Sequence, residues 1–169
     1  MQRHHLHCLA AALAAFCATA QAHDDDNRAK ARLSGYNENP TLSVAGSGRF
    51  EARLHASSFD YTLTYSGLDS GVLQAHIHFG AKFVNGGISV FLCSNLGNGP
   101  AGTQPCPTPG GTISGTVTAA NVIGPSGQDI SAGQFDELMQ AMRAGLTYAN
   151  VHSNKYPGGE IRGQIKVDD

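Results

Sequence analysis

The chain has 169 residues, of which 41% are hydrophobic and 14% charged, and its net charge is −2 with neutral histidines. This length is enough for one domain with one core. The sequence has no sustained run of basic residues, which argues against nucleic acid or an anionic membrane as the main partner. After residue 22 no segment offers ~20 consecutive apolar residues, so no membrane span is expected there.

The N-terminal segment has the layout of an export signal. It begins with basic Arg3, continues as an apolar stretch and ends with the small residues Ala20 to Ala22. We therefore predict a signal peptide over 1–22, cleaved after Ala22, and a periplasmic or secreted protein. The charged residues that follow lack periodicity and predict a mobile leader over 23–32, with the folded domain over 33–167.

Alternation of apolar and polar residues predicts half-buried strands along most of the domain. Phe50 and Leu54 alternate with polar neighbours, and so do Phe59 and Leu63. Further strands are expected at Val72–Phe79, Gly87–Cys93, Thr112–Ala119, Leu146–His152 and Glu160–Val167. Gly, Pro, Asn and Ser cluster between them as turns. Many short strands predict an all-β fold, an antiparallel β-sandwich or Greek-key barrel.

One inserted α-helix is expected before the last strands. Ser131 followed by Gln134 has the spacing of a capping box, and Gly145 is placed as a C-cap. The apolar residues between them recur at helical spacing, which predicts core packing.

The cysteines predict a disulfide bond. Cys8 and Cys17 belong to the predicted signal, so an exported chain keeps Cys93 and Cys106 in an oxidising compartment. A thiolate metal pair is the weaker alternative, because neither cysteine belongs to a C-x-x-C motif.

Three histidines form the candidate metal site. In the stretch AHIHFG, His76 and His78 point to the same face of a strand. His152 lies on a later strand, on one face with Tyr148 and Asn150. If the two strands are close, three neutral imidazoles meet on the side of the sheet away from the core and fit Cu²⁺ or Zn²⁺. Sharing one ion requires that their ring nitrogens lie within ~4 Å of one another. The alternative is surface or hydrogen-bonded histidines.

The remaining chemistry-bearing residues form weaker patterns. His23 would become the N-terminal residue after cleavage and could chelate copper, and His55 is expected to face solvent. No G-x-S-x-G motif occurs, and the carboxylates are scattered, so catalysis is the less supported class. Glu38 is expected to tie a turn, and Glu160 with Arg162 to form a surface pair.

Four motifs resemble the CHRD domain, the module named after chordin. They are LSGYNENP (33–40), AHIHFG (75–80), LTYANVHS (146–153) and YPGGEIRGQI (156–165). The resemblance covers 33–167 and implies an all-β, exported domain. The His-x-His strand is also similar to the copper strand of Cu/Zn superoxide dismutases, although the residues after 33 supply too few histidines for a two-metal site.

Three functions follow as expectations. The first is binding of one transition metal through His76, His78 and His152. The second is a metal-free module that binds an extracellular protein or polysaccharide. The third is an oxidoreductase similar to superoxide dismutase.

Overall fold

The computed structural model of the protein describes residues 27–168 and contains nine strands and one α-helix within them. The strands are β1 (Arg28–Ser34), β2 (Ser47–Leu54), β3 (Ser58–Ser66), β4 (Val72–Phe79), β5 (Gly87–Ser94), β6 (Gly111–Thr118), β7 (Thr147–Ser153), β8 (Ile161–Gln164) and β9 (Lys166–Val167), and the helix α1 is Phe135–Arg143. Short 3₁₀ turns occupy Gly35–Asn37, Ala119–Asn121 and Ser126–Gln128.

The strands form one antiparallel sheet that curls into a nearly closed barrel or sandwich. Its order is β5-β4-β7-β8-β1-β2-β3-β6, with β9 paired to β1. Every neighbouring pair is antiparallel. The predicted all-β fold with one inserted helix is therefore confirmed. No helix within the described range is both long and apolar enough to cross a membrane.

The core follows the alternation seen in the sequence. Phe50 and Leu54 of β2 and Phe59 and Leu63 of β3 are all buried, while their neighbours along each strand face outward or lie at the surface. Side chains that alternate along a strand point to opposite faces, so one face of each strand fills the barrel.

The domain starts earlier than predicted. Strand β1 runs from Arg28, and its residues Ala29 and Ala31 are buried and pair with β2, so the predicted mobile leader is wrong over 27–32. The small alanines between charged neighbours hid the alternation. The predicted signal peptide, 1–22, and His23 lie outside the described residues.

The last predicted strand, Glu160–Val167, is two strands. Ile165 separates β8 from β9, is fully buried and donates its backbone N–H to the Thr147 carbonyl at 2.9 Å. The chain thereby leaves β7 and moves to β1.

The helix begins later than predicted. Gln134, not Ser131, precedes its first residue, Phe135, because the chain turns at Gly133 with a φ of +85°. Half of the predicted capping box forms, since the Gln134 Oε1 accepts the Ser131 backbone N–H at 2.5 Å. The expected Gly145 cap is confirmed by its φ of +70° and its N–H bond to the Met142 carbonyl. The apolar stripe packs in the core: Phe135, Leu138, Met139 and Met142.

The Cys93–Cys106 disulfide is confirmed. It joins β5 to the loop that follows, across a sequence separation of 13 residues. The side chain of Asn95 strengthens the same junction by donating to the carbonyls of Val72 and Cys106.

Replacing both cysteines by alanine is expected to lower the free energy of unfolding by about 3 kcal/mol, because the open chain regains the entropy of this loop. Urea unfolding of the wild type and of the C93A/C106A variant measures the difference. A reducing agent should lower the unfolding free energy of the wild type to that of the variant. It should leave the unfolding free energy of the variant unchanged. Equal midpoints for both oxidised proteins would contradict the prediction.

Candidate metal centre

Two neighbouring strands position the three histidines. His76 and His78 lie on β4, on the face opposite to Ala75 and Ile77, which point into the core. Strand β7 pairs with β4 and places His152 opposite Gln74, one step along that face from His76. The strand pairing therefore brings the three side chains to one patch of the sheet, as the sequence predicted.

The three imidazoles lie within reach of a common point. One ring nitrogen from each forms a set whose members are all within 4.8 Å of one another. His76 Nδ1 lies 3.1 Å from His152 Nε2, whereas the ring centroids of His78 and His152 are 5.9 Å apart. The set is looser than the ~4 Å expected for a shared ion.

The site is buried although it lies outside the barrel core. His76 is fully buried, and His78 and His152 are 7% and 5% exposed. The Phe91 ring packs edge-on against His76 with its centroid 4.3 Å away. Backbone of the segments around Gly86 and Pro157 contacts the other two rings. These contacts shield the polar face of the sheet from water.

Burial keeps all three rings neutral. It lowers the pKa of His76 to about 2, and the neighbouring His152 and His78 act in the same direction. Desolvation likewise lowers the pKa of both His78 and His152 to about 4, although hydrogen bonds to backbone carbonyls oppose it. Neutral imidazole is the form that binds metal ions.

Backbone carbonyls determine which nitrogen of each ring carries the proton. His78 Nδ1 lies 3.0 Å from the Gly86 oxygen, and His152 Nδ1 lies 3.0 Å from the Pro157 oxygen. A carbonyl only accepts, so each Nδ1 donates, and each Nε2 is left unprotonated with a lone pair that can accept. A ligating histidine commonly donates its other ring N–H to such a carbonyl.

Two nitrogens of the cluster have no partner among the described residues. His152 Nε2 accepts from His76 Nδ1, which leaves His76 Nε2 as a bare acceptor. His76 Nε2 and His78 Nε2 are both buried without a hydrogen bond. A buried acceptor without a partner costs roughly 1–3 kcal/mol. Two buried acceptors without partners in one cluster destabilise the fold and are therefore unusual in a purely structural site.

A stack of polar side chains supports His78. Its ring is parallel to Tyr148, with centroids 4.8 Å apart and planes 2° apart. The Arg162 guanidinium lies 4.6 Å from the Tyr148 centroid and pairs with buried Glu38. Asn150 donates to Glu38 Oε1 at 2.7 Å. Glu38 thus ties β7 to β8, a larger role than the turn expected from the sequence.

The predicted surface pair of Glu160 with Arg162 is wrong. Both side chains are buried, Arg162 is paired with Glu38, and Glu160 Oε1 accepts the backbone N–H of Asp69 at 2.7 Å. Each side chain therefore has a partner elsewhere in the chain, and no surface pair forms between them.

The other described histidine lies apart from this site. His55 is exposed, as predicted, and its Nε2 lies 3.1 Å from Asp60 Oδ2. It serves as a natural control for the buried cluster.

The groups that orient the rings were not predictable from the sequence. The carbonyls of Gly86 and Pro157 have no residue-type signature, because every residue carries one. Tyr148 and Asn150 were placed on the correct face, but their links to Arg162 and Glu38 join parts of the chain far apart in sequence.

Comparison with known proteins supports the family resemblance of the four sequence motifs. No curated protein and no solved structure matches the chain. The family model of the CHRD domain matches residues 29–165, which is most of the sequence and nearly all of the described domain. The chain therefore belongs to the CHRD domain family.

Proposed function

We propose that this domain binds one transition-metal ion, Cu²⁺ or Zn²⁺, through His76, His78 and His152. The supporting observation is the pair of Nδ1–H bonds to the carbonyls of Gly86 and Pro157, which fix both Nε2 lone pairs as acceptors. An ion bound between the rings would use His78 Nε2, His152 Nε2 and one nitrogen of His76.

The chemistry of the donors limits the choice of metal. Three neutral imidazoles suit zinc and copper, whereas Mg²⁺ and Ca²⁺ prefer oxygen ligands. Two ligands about 2.0 Å from one tetrahedral ion lie about 3.3 Å apart. The 3.1 Å contact between His76 Nδ1 and His152 Nε2 is close to that separation. On metal binding through this nitrogen, His76 would carry its proton on Nε2 instead.

We further propose that the domain functions outside the cytoplasm. A disulfide and a CHRD domain are consistent with an extracellular location. In that compartment a buried three-histidine site would hold its metal as part of the folded structure.

The metal-free protein should bind about one equivalent of Zn²⁺ or Cu²⁺ in a calorimetric titration at neutral pH. Replacing both His76 and His78 by glutamine should weaken binding by more than the roughly 100-fold that loss of an outer hydrogen-bond partner costs. Glutamine keeps most of the volume, so a far-UV spectrum can verify that the variant is folded.

The matched control is H55Q, which removes one imidazole at the surface and should bind as the wild type does. For Cu²⁺, electron paramagnetic resonance should show coupling to several nitrogens in the wild type. Equal affinities of wild type and folded H76Q/H78Q protein would refute the proposal.

A further inference from the structure

A second candidate site is a cavity on the outer side of the sheet. It has a volume of about 560 Å³ and is lined by residues of β1, β2, β7, β8 and β9 together with Asn37 and the segment 81–83. This volume is in the range of pockets that enclose a small molecule. Tyr148 and Arg162 separate it from the histidine cluster.

The cavity concentrates positive charge. The chain has 11 lysines and arginines, and all except Arg3 lie in the described part, which leaves ten. No Asp or Glu within 27–168 lines the cavity, whereas six of these ten cations do: Lys30, Arg32, Arg49, Lys82, Arg162 and Lys166. We call this cavity the cationic cleft. A chain with a net charge of −2 has no general excess of positive charge to explain it.

Half of these cations lack a counter-charge among the described residues. Acidic side chains pair with three of them, in Lys30–Asp168, Arg49–Glu51 and Arg162–Glu38. Among residues 27–168, no carboxylate lies within salt-bridge distance of Arg32, Lys82 or Lys166. The cleft therefore presents three uncompensated positive charges.

The strand register places like charges face to face. Arg32 lies directly opposite Arg49 on β2, and Lys30 lies directly opposite Lys166 on β9. Like charges at directly opposed positions of an antiparallel pair destabilise the sheet. Two such pairs in one cleft indicate that the charges serve something other than stability.

The wall of the cleft carries an exposed aromatic ring on strained backbone. Phe83 is 53% exposed and has a φ of +64°, a conformation that bulky residues rarely adopt. The Lys82 ammonium lies 4.8 Å from its ring centroid. Strain of this kind concentrates at ligand sites. The ring and the lysine together offer a flat apolar surface beside a positive charge.

We infer that the cationic cleft binds a small organic anion that carries several carboxylates on a flat apolar body. The carboxylates would meet Arg32, Lys82 and Lys166, and the body would lie against Phe83. The limited volume of the cleft favours a small molecule over a polymer, whose length would extend beyond it. The inference does not depend on a metal at the histidine cluster.

Trimesate, a benzene ring with three carboxylates, is a suitable probe. Calorimetry with the full chain should detect binding that weakens as salt rises. The triple variant R32Q/K82Q/K166Q should bind at least about tenfold more weakly, because it loses charge-assisted hydrogen bonds. The control R28Q/R143Q/K155Q changes the net charge equally at positions outside the cleft and should bind within about twofold of the wild type.

A second readout separates lost binding from lost folding. Without ligand, the R32Q/K82Q/K166Q variant should melt at the same temperature as the wild type or higher, because both like-charge pairs are removed. Inorganic phosphate, which lacks an apolar body, should bind more weakly than trimesate. Equal trimesate affinity in the two triple variants, equal affinity for phosphate and trimesate, or tighter binding of polyglutamate at equal carboxylate concentration would each overturn the inference.

Discussion

Acidifying the metal-free protein from about pH 7 to about pH 5 should lower its free energy of unfolding by roughly 5 kcal/mol, a little under about 2 kcal/mol for each buried histidine. The loss comes from His76, His78 and His152, whose pKa values burial lowers to about 2, about 4 and about 4. A loss of this size is comparable to the whole stability of many domains.

The sign follows from proton binding. The unfolded chain protonates these histidines near their ordinary pKa of about 6.5, whereas the folded protein keeps them neutral to much lower pH. The unfolded state therefore binds more protons as the pH falls below about 6.5, and stability falls with it. For His78 and His152 the loss stops growing near pH 4, where the folded rings also titrate. Burial raises the pKa of Glu38, and this opposes the trend at the acid end.

Urea unfolding at a series of pH values measures this dependence. The same series with saturating Zn²⁺ should show higher stability throughout and the same fall between pH 7 and pH 5, because ligand binding stabilises the folded state whose rings are already neutral in this range. H55Q should reproduce the wild-type profile, since His55 is exposed. A flat profile between pH 7 and pH 5 would show that the three rings are not buried in solution.

Strand bounds and side-chain orientation were predicted best for strands with one apolar and one polar face. Strand β4 has the predicted bounds, Val72–Phe79, and its alternation placed His76 and His78 together on the correct face. A period of two leaves only two ways to orient a strand, and burying Ala75 and Ile77 selects one of them.

Burial on both faces was not predictable in the same way. Every residue of β7 is buried, because the segments around Gly86 and Pro157 cover its polar face. These segments act through backbone carbonyls, which carry no residue-type signal. The histidines were therefore placed correctly along the sheet, while their burial and fixed tautomers became visible only in the fold.

The cationic cleft was not predictable from the sequence for a related reason. Its cations come from four strands and a loop, so no basic run marks them in the sequence. Composition reports the sum of charges, and only strand register shows that Arg32 and Arg49 are adjacent.

Breaking the buried Glu38–Arg162 pair should have the second large effect on stability. The E38Q and R162M variants should each lose about 3 kcal/mol or more of unfolding free energy, because each leaves a buried group without its partner. Glu38 is 3% exposed, and burial raises the pKa of its carboxyl despite the opposing influence of Arg162 and Asn150. Desolvation therefore outweighs the attraction within the pair.

This balance predicts a specific pattern in a double-mutant cycle. If desolvation dominates, the double variant E38Q/R162M should lose clearly less than the sum of the two single losses, since removing both charges also removes the cost of burying them. Urea unfolding of the four proteins gives the coupling energy, and K30Q, which breaks the exposed pair with Asp168, is the control that should change stability by under about 1 kcal/mol. Additive losses would mean that the two side chains act independently.

Arg162 should also matter to the histidine site, in a way that Glu38 does not. Its guanidinium donates to Asn85 Oδ1 at 2.8 Å and to the Val84 carbonyl at 3.3 Å, next to Gly86, whose oxygen orients His78. R162M should therefore weaken Zn²⁺ binding by about tenfold or more, as loss of outer support does in metal sites, whereas E38Q leaves these loop contacts in place and should weaken it less. Equal zinc affinities in folded R162M and wild-type protein would show that the loop holds the Gly86 carbonyl without help from the arginine.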